Sequence, residues 1–163
     1  TMEFAIKPRN QLFAECGVIN TYAAADGTVR CEGTMSGIDI SETDGMEGHE
    51  FENYCADLLR KNGFVNVSVT PGSGDQGVDV IAEKEGVRYA VQCKCYSSAL
   101  GNTPVQEVCA GKSMYNCHVG VVMTNNYFTA GAKQLAEKNG ILLWDRDKLQ
   151  QMIDSAIGEE SAV

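Results

Sequence analysis

Three polar side chains, Asp79, Gln92 and Lys94, sit on two short apolar runs joined across Glu85-Gly86. If Glu85-Gly86 is a two-residue turn, the numbers of facing residues total 171, and Asp79 lies directly opposite Gln92. Directly opposed side chains share a face with Cβ atoms about 5 Å apart, and the diagonal neighbour is about 7–8 Å away. Lys94 is that neighbour, because strand side chains alternate with period two. The other face of the second run carries Tyr89, Val91, Cys93 and Cys95. A carboxylate holds a hard divalent cation such as Mg²⁺ through oxygen, and an amide oxygen or a backbone carbonyl adds a ligand. An ammonium beside them stabilises charge developing on a phosphodiester or helps position the attacking water. Two oxygens and an ammonium on one face suit phosphodiester hydrolysis. An antiparallel strand with one solvated face shows the same spacing without any chemistry.

Other chemically capable residues are more equivocal. Pro71-Gly72-Ser73-Gly74-Asp75-Gln76-Gly77 is too glycine-rich to pack an element interior and reads as a loop. Its successive N–H groups can cradle a phosphate, which makes Ser73, Gly74, Asp75 and Gln76 candidate DNA contacts. Asp75 fits a turn residue bonded to its own backbone better than a catalytic one. Cys93, Cys95, Cys109 and Cys117-His118 contain no C-x2-C pair, so a zinc site there competes with buried reduced thiols. His49 and His118 show no partner spacing, and Ser97 and Ser98 lack a matching His and Asp.

The elements that must hold these groups follow from periodicity. From Glu47 to Lys61, Phe51, Tyr54, Cys55, Leu58 and Leu59 recur at helical spacing, and Asn62-Gly63 ends the run. At 100° per residue Glu52 falls at one rim of this apolar arc and Glu50 at the other. Phe64 to Val69, Val78 to Glu83 and Val87 to Tyr96 are predicted strands. Thr103-Pro104-Val105-Gln106 looks like a helix start, with Thr103 as cap and Gln106 closing a capping box. Val119 to Thr124 has the character of a strand buried on both faces. Thr129 caps a further helix, Ile141 to Trp144 is a strand, and Lys148 to Ile157 closes the chain as a helix. The order α-β-β-β-α-β-α-β-α predicts a mixed β-sheet flanked by helices, an α/β fold.

At 163 residues there is room for one domain and a short extra piece. The polar stretch Ser41-Glu42-Thr43-Asp44-Gly45 suggests a boundary. Residues 1–45 then form a β-rich arm of unknown role, with Ala25-Asp26-Gly27 turning between Val18 to Ala23 and Thr28 to Gly33. Residues 46–150 form the main domain, and 151–163 a helix end with an acidic tail. The net charge of −9 divides as −4, −2 and −3 over these three parts. The central segment is therefore nearly balanced, and the charge decides neither for nor against nucleic acid. No apolar run approaches the ~20 residues of a membrane span, no signal segment is visible, and a cytoplasmic location is expected.

Taken in order, Glu52, Ser73 to Asp79, Gln92-Cys93-Lys94 and Val121 to Thr129 with Ala132 resemble the Mrr-type restriction endonuclease catalytic domain over roughly residues 46–150. That group belongs to the PD-(D/E)xK nuclease superfamily and is similar to type IV restriction enzymes that cut modified DNA. The resemblance implies a restriction-endonuclease-like fold and Mg²⁺- or Mn²⁺-dependent cleavage of double-stranded DNA. It also implies a homodimer or paired binding where both strands are cut. By the same resemblance Asp79 would be the central metal ligand, with the Cys93 carbonyl beside it. Gln92 would stand where most of the superfamily has Glu or Asp, Lys94 would be the catalytic lysine, and Glu52 would reach the metal through water. Three other readings stay open: a nuclease similar to Holliday-junction resolvases or repair enzymes, a catalytically inactive DNA-binding module, and a zinc-containing interaction domain.

Overall fold

Glu85 and Gly86 both adopt positive φ, 53° and 77°, the backbone that a two-residue hairpin needs to match strand twist. The turn joins β4 (Val80–Lys84) to β5 (Val87–Lys94). Register runs from Lys84↔Val87 to Val80↔Val91, so facing numbers do total 171.

These strands belong to a computed structural model that describes residues 39–160 apart from 73 and 75, together with residues 22–23 and 29–30. Two compact units divide the chain at Ile38/Asp39. In the first, β1 (Tyr22–Ala23) pairs antiparallel with β2 (Val29–Arg30). The remainder of the two extended runs, and the turn assigned to Ala25-Asp26-Gly27, lie outside the described residues.

The second unit opens with a 3-10 helix at Ile40–Gly45. The polar stretch at Ser41 to Gly45 is thus ordered structure. Asp44 accepts from Arg146 Nη1 at 2.7 Å, Arg146 Nη2 at 3.1 Å and Asn125 Nδ2 at 2.9 Å. After it come α1 (Gly48–Lys61), β3 (Val65–Val69), β4 and β5, then α2 (Thr103–Met114), β6 (Val119–Thr124), α3 (Ala130–Asn139), β7 (Ile141–Trp144) and α4 (Arg146–Glu160). The five strands lie in chain order. The hairpin side is antiparallel, and β5, β6 and β7 are parallel, their returns made by α2 and α3. The expected mixed sheet flanked by helices is the fold observed.

Alternation along the strands sends side chains into two cores. Val80, Ala82, Val91, Cys93, Val121 and Met123 pack against Phe51, Cys55 and Leu59 of α1 and Leu149, Met152 and Ile153 of α4. Ala90, Val122 and Ile141 pack against Val105 and Val108 of α2 and Ala132 and Ala136 of α3. The sheet is therefore the middle of three layers, and truncating Phe51 to Ala would cost about 3–5 kcal/mol. The expected cap at Thr103 is not the one used: Asn102 takes the N-cap position without a side-chain bond, and Pro104 falls in the first turn. Gln106 donates its backbone N–H to the Asn102 carbonyl and closes no capping box. Thr129 does cap α3, accepting from the Ala132 N–H at 3.3 Å.

At the outer strand the pairing is irregular. Between Val65↔Glu83 and Ser68↔Ile81 the register shifts, with Asn66 at φ 52°. No helix among the described residues is long and apolar enough to cross a membrane.

Candidate active site

Regular pairing stops one residue short of Asp79. Its N–H bonds the Val91 carbonyl at 2.9 Å, although the ladder would assign Val91 to Val80. Val78 and Val80, two residues apart, enter opposite cores. This slip follows the Gly-rich loop, where Gly74, Gln76 and Gly77 all hold positive φ. The expected direct opposition of Asp79 and Gln92 is thus not realised. Asp79 Oδ2 instead accepts the Cys93 N–H at 2.7 Å. That amide lies between Gln92 and Lys94, so the carboxylate still arrives at the same three-residue segment. Asp79 is 7% exposed.

Gln92 is fully buried and lies on the α2 side of the sheet by alternation. Its Nε2 donates to Glu107 Oε2 at 2.5 Å. Its Oε1 has no hydrogen-bond partner, and among the described residues no other buried side-chain oxygen or nitrogen is left so. A bare buried acceptor costs about 1–3 kcal/mol. Lys94, half-buried at the end of β5, makes no hydrogen bond or ion pair with a described residue.

Helix α1 supplies the third wall. Of its two flanking carboxylates, Glu50 is taken up by the capping box, its Oε2 accepting the Glu47 N–H. Glu52 is turned inward, its side chain 18% exposed, and pairs with His49 Nδ1 at 2.8 Å. Glu52 and Asp79 both act electrostatically on Cys93. That thiol is pushed well up, first by its hydrogen bond with Cys55, then by burial, then by the charges of Cys55, Asp79 and Glu52. It is a packing group without nucleophilic character.

His49 and Glu107 escaped the sequence reading. His49 carried a signal, since it precedes Glu52 by one helical turn. Glu107 carried none, because its contact exists only after α2 docks on the sheet. Of the proposed loop contacts, Gly74 borders open space and Gln76 turns its carbonyl toward Gly111. Ser73 and Asp75 lie outside the described residues. The zinc alternative fails on placement: Cys93 and Cys95 pack on the α1 side and Cys109 and Cys117 on the α2 side. No three His, Cys, Asp or Glu side chains group as a metal site among the described residues.

A site for a hard cation draws on oxygen donors in place of thiolates. Asp79 is buried, Glu52 is turned inward, Gln92 Oε1 has no hydrogen-bond partner, and the Lys94 ammonium is uncommitted among the described residues. Mg²⁺ and Mn²⁺ prefer such oxygen donors.

The fold is that of a class, the restriction-endonuclease-like proteins. A sequence model of the Mrr catalytic domain, described as a restriction endonuclease, matches residues 43–153, and the chain belongs to that family. No curated protein sequence matches it significantly. Among solved structures it is similar to the DNA modification-dependent restriction endonuclease AspBHI, with a TM-score of 0.56 and 18% identity over 99% of this chain and 50% of that one. MspJI restriction endonuclease, in complex with a 27-mer oligonucleotide, gives 0.52 and 19% over 74% and 33%. A protein of unknown function, AF1548, gives 0.54 and 23% over 68% and 64%. At these identities the likeness shows the fold, and the chain spans less than two thirds of each of the three.

Proposed function

We propose that this chain is a divalent-metal-dependent endodeoxyribonuclease that hydrolyses phosphodiester bonds of double-stranded DNA in the restriction of foreign or modified DNA. The observation that carries this reading is the bare, buried Oε1 of Gln92, on the same three-residue segment of β5 whose Cys93 N–H the Asp79 carboxylate accepts. A buried acceptor without a protein partner calls for compensation, which a cation would supply. Asp79, Gln92 Oε1, the Cys93 carbonyl and, through water, Glu52 would hold Mg²⁺ or Mn²⁺. Bound there, the ion supplies Lewis-acid activation of water and neutralisation of phosphate charge. Lys94, with no partner among the described residues, would donate hydrogen bonds to a non-bridging phosphate oxygen and stabilise the charge that develops in the transition state. His49, bonded through Nδ1, holds the Glu52 carboxylate in one orientation. The likeness to AspBHI, a DNA modification-dependent restriction endonuclease, supports the choice of restriction. Cutting both strands requires two such sites, which a homodimer or paired binding would bring together.

Cleavage of methylated and unmethylated plasmid with Mg²⁺ or Mn²⁺ tests this, with Asp79→Ala in parallel. Metal-dependent nicking or linearisation that is lost in the variant, and that depends on methylation, is the expected result. Preference for four-way junctions over linear duplex would move the protein to junction resolution. DNA binding with no cutting in any metal would leave an inactive binding module.

A further inference from the structure

Resting on that reading of Gln92, we propose that Glu107 is a positioning residue that turns Gln92 into an oxygen donor. An amide side chain is ambiguous, because rotation by half a turn exchanges its oxygen and its NH₂. A carboxylate only accepts. With Glu107 Oε2 at 2.5 Å, the NH₂ end must face Glu107, and Oε1 is thereby driven toward the opposite side, where it meets no protein donor. Reversing the amide would set two oxygens against each other. The anion also polarises the amide through a charge-assisted bond, increasing the negative character of Oε1. Gln92 and Glu107 together then do the work of a carboxylate held directly on the strand.

The surrounding backbone is built to keep this pair in contact. A Cβ added at Gly77 would meet Glu107 Cβ at 2.7 Å and Gln92 Nε2 at 3.1 Å. One added at Gly111 would meet the Gln76 carbonyl and Val78 Cγ2, each at 2.6 Å. Glu107 and Gly111 are four residues apart on α2 and share its face. Two glycines, one on the loop and one on the helix, thus admit the close approach that seats Glu107 against Gln92.

The test is Mn²⁺ binding to the full chain without DNA, followed by the loss of the free-ion electron paramagnetic resonance signal. Asp79→Ala and Gln92→Met are the controls. Glu107→Ala should weaken Mn²⁺ binding about 10- to 100-fold, the range for residues that orient a metal ligand. Its unfolding midpoint should fall modestly, since the buried Gln92 Nε2 loses its acceptor, so binding is compared at a temperature where circular dichroism shows both proteins folded. Gln92→Glu alone sets two carboxylates in contact, whereas Gln92→Glu with Glu107→Gln exchanges the partners and keeps the bond. The exchanged pair should bind Mn²⁺ at least as tightly as the parent and more tightly than Gln92→Glu. Parent-like binding by Glu107→Ala, with both controls impaired, overturns the positioning role and leaves the metal site standing. Failure of the exchanged pair to recover also overturns it, because Glu107 would then act as a ligand itself. Parent-like binding by the two controls overturns the metal-site reading, and this proposal with it.

Discussion

The β4–β5 hairpin carries a lysine near each of its ends, and the fold treats them differently. Lys84, beside the turn, donates to the Asn62 carbonyl at 2.8 Å and lies over the Phe64 ring at 5.0 Å. Lys94, at the open end, is engaged by nothing described. The backbone divides in the same way. Pairing is regular from the turn to Val80↔Val91 and slips at Asp79, where a buried acceptor is also left bare. On the proposed function, stability is concentrated at the closed end and reactive capacity at the open one. The two demands conflict within a single strand pair, and separating them by about six residues of strand, or ~20 Å, lets both be met.

Substitutions can break that division if it is wrong. Lys94→Met, which keeps the length of the stem, should slow DNA cleavage about 10²- to 10⁴-fold with an unchanged unfolding midpoint. Next in size is a metal effect. Saturating Mn²⁺, at about 100 times its dissociation constant, should stabilise the parent by about 2.7 kcal/mol. Denaturant titrations should show no such gain for Asp79→Ala. Gln92→Met removes the bare oxygen from its buried site, and should raise stability by up to about 1 kcal/mol while abolishing the metal response. At the closed end, Gly86→Ala forces a side chain onto a φ of 77°, costing about 1 kcal/mol with cleavage intact. Lys84→Met should cost about 0.5–1 kcal/mol and leave cleavage at the parental rate. A Lys84 variant that loses activity, or a Lys94 variant that loses only stability, would remove the distinction.

The same division marks what could be read from the residues alone. The closed end was legible because Glu85-Gly86 admits one tight turn, and that turn sets every pair up to Val80. The open end was misjudged by one residue because consecutive positive-φ positions before Val78 feed the chain in out of phase, and no side-chain pattern records such a slip. Glu52 could be placed at the rim of the α1 arc by counting degrees. Choosing it over Glu50 required seeing the capping box. Glu107 was out of reach, since its role depends on how near α2 comes to Gly77. Thr103 was mistaken for a cap because Asn102 before it is an equally good capping type, and sequence does not say which residue leaves the helical backbone.

The shift at Asn66 bears on how molecules meet in solution. An outer strand with bare N–H and C=O groups offers a template on which another chain can polymerise. Here Val65 is 56% exposed, which would make β3 adhesive if it were flat. The irregular pairing interrupts its ladder, and Asn66 Nδ2 is tied back to Glu83 Oε2 at 3.2 Å. A second sheet approaching this side finds no continuous ladder to extend. Concentrated protein is thereby guarded against edge-to-edge fibre growth, and straightening β3 by deleting Asn66 should show itself as turbidity before any loss of catalysis.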